Sequence, residues 1–242
     1  MSENVFESTV RSGVLQAYRP HTRWLSTGVS GGTHTADAAY NITVPEGWGE
    51  TNLSAYIDRR REGAEFTTGG PALLTGVDLR HARRAQHGSV EAIVTAGVSN
   101  PATLPLDTDR PEYAQTDSTF RPGTINIIVG TTTALSSGAL ANLVAIVAEA
   151  KTATLLPLTG FTGTTSDAIV VGCDPNGSKE TFSGSATAVG DATRACVRDA
   201  LVAALESRYA SVPIPTSVAD ATYGIETTTT ATVSELSQHS RE

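Results

Sequence analysis

Residues 136–156 limit what this chain can fold into more than any other stretch. Ser136 or Ser137 can cap a helix there and Pro157 stands where it should stop. Within the stretch only Glu149 and Lys151 carry charge. A helix that is apolar nearly all round must be packed on more than one side, so the rest of the chain has to wrap it. At about 100° per residue, Leu140, Val144, Val147 and Lys151 fall on one stripe. A lysine on such a stripe must snorkel, find a carboxylate or lose its proton; at a helix end it can also simply satisfy the helix dipole. Glu149 points about 200° away from Lys151, so the two should not pair on one face. So little other charge on the helix predicts a buried, partnered Glu149.

The wrapping elements read as strands and a second helix. Tyr40, Ile42 and Val44 alternate toward one face of a strand over 39–45. A short helix is expected at 52–63, with Asn52 as its cap and Leu53, Tyr56 and Ile57 inward. Strands are expected at 72–77, 90–96, 124–129, 167–172 and 181–187, with a basic helical stretch over 78–84 and a long functional loop over 101–122. Asp191 opens a second long helix to about residue 208, with Val197, Leu201, Ala204 and Leu205 inside. Strands interspersed with long helices predict an α/β or α+β fold: one compact domain over 1–210, with a mixed β-sheet core packed by long apolar helices. Residues 211–242 hold little core material and read as an extension, partly an edge strand near residues 223–225 and then a mobile tail.

Charge and cysteine content narrow the function classes. The chain has 25 acidic and 17 basic residues and a net charge of -8, which disfavours a nucleic-acid partner. Lys151 and Lys179 are the only lysines. That scarcity, with the acidic balance, suggests a high-salt cytoplasm; a GC-rich genome would also favour Arg and Ala. Cys173 and Cys196 cannot form a zinc site by themselves and read as buried thiols in a cytoplasmic protein. Residues 1–11 lack an apolar signal core, and no apolar run is read as long enough for a membrane span.

Several short segments recur in one order: RWLSTGVSGG at 23–32, LLTGVD at 73–78, VTAGVSNP at 94–101, RPGTINIIV at 121–129, AEAK at 148–151, TGTTSDAIVV at 162–171, and FSG at 182–184 followed by Gly190. Each alone is weak, but together they closely resemble the adenosylcobinamide amidohydrolase (CbiZ) family over residues 10–210. Thr33 stands where a third glycine would follow Gly31 and Gly32, and the stretch near Phe161 departs slightly from the family form. The resemblance implies an amidohydrolase that cuts aminopropanol from a corrin side chain of adenosylcobinamide, giving adenosylcobyric acid for cobalamin salvage. The corrinoid is then substrate, and no cofactor is implied.

Amide hydrolysis needs a nucleophile, oxyanion donors and a proton for the leaving amine. No G-x-S-x-G elbow or H-E-x-x-H zinc helix occurs, and no metal site is expected. His34 and His81 stand out slightly among five scattered histidines. The residues expected to carry catalysis are Glu149, Lys151, Asp167 and Asn126. Asn100, Thr164, Thr165, Ser166, Gly31, Gly32 and Ser26 are expected to bind substrate. Thr164, Thr165 and Ser166 are candidate nucleophiles, Asp167 a base or orienter, and the 162–167 backbone a candidate anion nest. Glu149, Lys151, Asn126 and Asp167 should then line one broad cleft rimmed by amide and hydroxyl donors. A non-catalytic corrinoid or nucleotide carrier is the alternative; a phosphate-ester enzyme is disfavoured by the absence of a Walker-type Lys-Ser/Thr pair. Self-association into a homo-oligomer is left open.

Overall fold

A long antiparallel ribbon near the N-terminus shapes the protein. In the computed structural model, which describes residues 4–45, 48–107, 125–221 and 223–236, β1 (Glu7–Arg11) leads into β2 (Val14–Ser26) and β3 (Gly32–Thr43). The β2–β3 register shifts between Tyr18 and Thr22, and such a bulge bends and twists a ribbon. His21 in the bulge takes a φ of 55°, and its N–H donates to Asp37 Oδ1 at 2.7 Å.

The chain continues through α1 (Leu53–Gly63), β4 (Ala72–Thr75), β5 (Arg83–His87), β6 (Val90–Ala96), β7 (Pro101–Thr103) and β8 (Ile125–Thr131). Then follow β9 (Ala134–Leu135), α2 (Ser137–Thr159), β10 (Gly163–Thr164), β11 (Ala168–Cys173), β12 (Lys179–Glu180), α3 (Ala188–Arg208) and β13 (Ile225–Glu226). The main sheet runs β4-β3-β2-β11-β8-β6-β5, with β1 beside β2. β8 and β11 are parallel, as are β3 and β4, and the other neighbours are antiparallel. This is the mixed α/β architecture expected from the element pattern.

The sheet curls over one core and carries helices on its other face. Trp24, Leu73, Ile93, Ile128 and Val170 pack together inside the curl, and Asn126 Nδ2 in β8 reaches Leu74 O in β4 at 2.9 Å. The ring of Phe6 occupies the space a side chain would need at Gly130, which explains a glycine inside an otherwise apolar strand. On the outer face, α2 and α3 cover β6, β8 and β11 through Leu143, Val147, Leu155, Val197 and Leu201. α1 covers the β2–β4 end through Tyr56 and Ile57, under the Asn52 cap that the sequence predicts.

Several elements differ from expectation. Asp78 caps only a single 3-10 turn, Leu79–His81, and Arg83–His87 is a strand; as the edge of the sheet, β5 tolerates arginines that solvent can reach. Pro157 does not stop α2. The helix runs to Thr159 and ends at Gly160, which takes a left-handed φ of 78°. Proline removes an N–H that would have bonded Ala153 O, and Ala153 lies on the exposed side of the helix. Thr187, not Asp191, caps α3, and the strand expected over 181–187 does not form: the two-residue β12 ends at Glu180, before that stretch begins. Ser183 there instead docks on α2, its hydroxyl donating to Ala139 O at 2.7 Å. Residues 108–124, including most of the expected loop and Thr124, lie outside the described residues, as do 237–242 of the expected tail.

The 23 residues of α2 are long and apolar enough to cross a membrane by composition, contrary to the reading that no run reaches that length, yet half of its most apolar 18-residue stretch is buried within the domain. Cys173 and Cys196 are buried and unpaired. Burial pushes the Cys196 thiol up to about 11.

Candidate active site

Strand direction gathers most of the expected residues at one end of the sheet. β8 and β11 both begin there, while β2 and β6, antiparallel to them, end there. The connections carrying Ser26–Gly32, Asn100 and 164–167 therefore meet at this end.

Lys151 resolves its position on the apolar stripe by finding a carboxylate. Its ammonium is ion-paired with Asp167 Oδ2, and the two side chains are 11% and 12% exposed. Asp167 sits just before β11, where alternation aims it at the helix layer. Oδ2 also accepts the Thr164 N–H at 3.1 Å, and Oδ1 accepts the Thr164 hydroxyl. Gly163 has no side chain because a Cβ there would lie 2.7 Å from both Asp167 Oδ2 and Lys151 Nζ. Thr152, one residue further along α2, donates to Thr162 O at 2.9 Å and holds the turn against the helix.

Asn100 secures the same turn from the other side. Its side-chain amide donates to Thr165 Oγ1 at 2.7 Å and to Ser166 Oγ at 3.1 Å, and its backbone carbonyl accepts the Thr165 N–H at 3.0 Å. Three of the N–H groups expected to form an anion nest are already engaged: those of Thr162, Thr164 and Thr165 donate to Ala102 O, Asp167 Oδ2 and Asn100 O. The turn also presents the hydroxyls of Thr164, Thr165 and Ser166 and the carboxylate of Asp167.

Asn126 lies on the opposite face. It pairs with Ala168 and Thr95 across the sheet and is 1% exposed. Its Nδ2 donates to Asn41 Oδ1 and Leu74 O, both at 2.9 Å, and Asn41 Nδ2 donates to Thr95 Oγ1 at 2.9 Å. Asn126 therefore knits the curled sheet to β4 beneath the strand ends and does not share a cleft with Asp167. Its Oδ1 has no hydrogen-bond partner among the described residues, a position that a buried water can serve. Asn41 and Thr95 were missed; an amide between Tyr40 and Ile42 in an apolar strand is the same signal that drew attention to Asn126.

Ser26 faces the same interior as Asn126, where its hydroxyl accepts the Gly28 N–H at 3.0 Å. Gly28 and Gly31 let the turn pass close to other backbone: a Cβ would meet Ala72 O at 2.8 Å in one and Ser26 O at 2.8 Å in the other. Gly32 takes a φ of 109°, open only to glycine at low cost. These residues shape the turn beside the site.

Glu149 is the clear correction. It is 51% exposed and pairs with Arg194 of α3 at 3.2 Å. The angle that separates it from Lys151 turns it outward, where an exposed carboxylate needs no buried partner. His81 is half-buried and bonded to Ser207 Oγ at 3.0 Å; burial, then Arg80, lowers its pKa. His34 lines a polar groove of ≈ 560 Å³ with His21 and Asp37. Among the described residues no group of three or more His, Cys, Asp or Glu could hold a metal.

Fold and site together define a single-domain α/β protein with a buried lysine, a carboxylate and a hydroxyl linked at the ends of its sheet strands. Comparison with known proteins makes this more specific. The model of the adenosylcobinamide amidohydrolase family matches residues 1–213, and the chain belongs to that family. It is 50% identical over 231 residues, 95% of its length and 99% of the relative's, to an adenosylcobinamide amidohydrolase of Halobacterium salinarum. It is 29% identical over 196 residues, 76% of its length and 90% of the relative's, to one of Methanosarcina mazei.

Proposed function

We propose that this protein hydrolyses the amide joining aminopropanol to a corrin side chain of adenosylcobinamide, releasing adenosylcobyric acid for cobalamin salvage. The family supplies the substrate class. The observation that carries the chemistry is the Thr164 hydroxyl bonded to a carboxylate that is itself ion-paired with a buried lysine.

In this reading Asp167 is the base and Lys151 fixes its orientation. Thr164 Oγ attacks the amide carbon, and its proton passes to Asp167. Collapse of the tetrahedral species breaks the C–N bond, and Asp167 returns the proton to the departing aminopropanol nitrogen. Water then cleaves the Thr164 ester, giving up a proton through Asp167 and restoring the hydroxyl. Asn100 holds Thr165 and Ser166, which border the substrate side of the turn. The corrinoid is substrate, and no cofactor enters the scheme.

Incubation with adenosylcobinamide should release aminopropanol. Asp167→Asn and Thr164→Val should each lose about 100-fold or more in kcat, the usual range for a general base or better, while Thr164→Ser keeps measurable turnover. Full activity in Thr164→Val would remove the hydroxyl from the mechanism. We also infer a high-salt cytoplasm as its setting, on the strength of two lysines, a net charge of -8 and the relative from Halobacterium salinarum.

A further inference from the structure

The C-terminal segment, beyond the residues matched by the family model, returns to the site. β13 runs parallel to β7, with Ile225 opposite Ala102 and Glu226 opposite Thr103. β7 in turn pairs antiparallel with β10, Thr164 opposite Pro101 and Gly163 opposite Ala102. The result is a three-stranded sheet in order β10-β7-β13, separate from the main one, with Thr164 on one outer strand and the C-terminal segment on the other.

The contacts bracket Asn100. Tyr223 N–H donates to Ser99 O at 2.8 Å, and Thr227 N–H donates to Thr103 O at 3.0 Å. Thr103 Oγ1 donates to Ile225 O at 3.4 Å. Gly224 passes so close to β7 that a Cβ would stand 3.1 Å from Pro101 O. A two-residue strand on each flank gives β7 little hold of its own, since short isolated pairings are marginal in water. The chain from residue 99 to 103 is therefore held between the turn that carries Thr164 and a strand supplied from more than 120 residues away.

We propose that residues 223–227 are a positioning element for hydrolysis: they clamp β7 so that Asn100 holds the 164–166 turn, and Thr164, in reacting geometry. This rests on the reading of Thr164 and Asp167 given above. Residues 223–227 act on the site through their pairing with β7.

The test uses the full chain. Ile225→Pro breaks the β13 pairing, and Ile225→Val preserves it. Amide hydrogen exchange at residues 99–103 and steady-state turnover of adenosylcobinamide are read together, with the thermal midpoint as a check on the fold. In Ile225→Pro, exchange at 99–103 should speed up and kcat should fall about 10- to 100-fold, the loss expected from displacing a reacting group by about 1 Å, with KM changed less than kcat. Ile225→Val should leave both close to the parent values. Thr227→Pro, at the end of the strand, removes only the bond to Thr103 O and replaces Ile225→Pro should that variant not fold. Unchanged kcat with faster exchange, or reduced kcat with unchanged exchange, would overturn the clamp. Undiminished activity in Thr164→Val and Asp167→Asn would instead sink the site reading itself.

Discussion

Lys151→Met is the sharpest test of the buried pair. The substitution keeps an apolar stem on the α2 stripe and removes the ammonium, leaving Asp167 charged. Breaking a buried ion pair by removing one partner costs about 3–5 kcal/mol, because the remaining charge is stranded. Here Asp167 retains the Thr164 N–H and hydroxyl, and the pair is 11% and 12% exposed, so the lower end applies, about 3 kcal/mol. For a chain of this size that corresponds to a fall of about 6–12 °C in Tm. Asp167→Asn in the same chain removes the stranded charge, so the double variant should recover about 1–3 kcal/mol relative to the sum of the single effects. Urea unfolding of the four proteins at one fixed salt concentration measures this. A Lys151→Met cost under about 1 kcal/mol, in the range of surface pairs, or strictly additive effects, would refute the claim that the two charges are buried together.

Other outcomes follow from the same geometry. Glu149→Gln should leave kcat unchanged and cost no more than about 1 kcal/mol, since its pair with Arg194 is exposed to solvent; loss of turnover would return Glu149 to the site. Glu91 is fully buried, accepts the Val5 N–H at 3.0 Å, and has its pKa raised above 4.5 chiefly by burial. Its contribution to stability is therefore greatest below about pH 4.5 and is lost as pH rises through the higher folded value. Glu91→Gln should accordingly gain on the parent as pH rises from 4 to neutrality, and a difference that shrinks over that range would reverse the sign argued here. Transfer from low to molar salt should raise the urea midpoint if the acidic surface suits a high-salt cytoplasm; equal midpoints would count against that setting.

Local pattern identified the elements whose residues decide their own structure. The Asn52 cap, the fully buried strand Val90–Ala96 and the inner face of α3 all appear where the sequence places them, because capping and side-chain periodicity act within a few residues. The edge strand Arg83–His87 was illegible, since its polar residues fit a strand only when one edge is open to solvent. What Pro157 does to α2 depends on whether the Ala153 carbonyl meets water, which local sequence does not specify.

The site divides along the same line. Sequence alone established that Lys151 had to find some answer on its stripe, that Asn126 needed partners if buried, and that the ordered motifs resemble one family. It could not say which carboxylate answers Lys151, nor on which face Asn126 lies. Those depend on the parallel pairing of β8 with β11 and on the curl that brings β4 over β8, and both join residues far apart in the chain. A helix angle turns Glu149 away from Lys151, but only the docking of α3 gives it Arg194 and solvent. Charges and amides are settled by what surrounds them after folding, and that surrounding is assembled from distant strands.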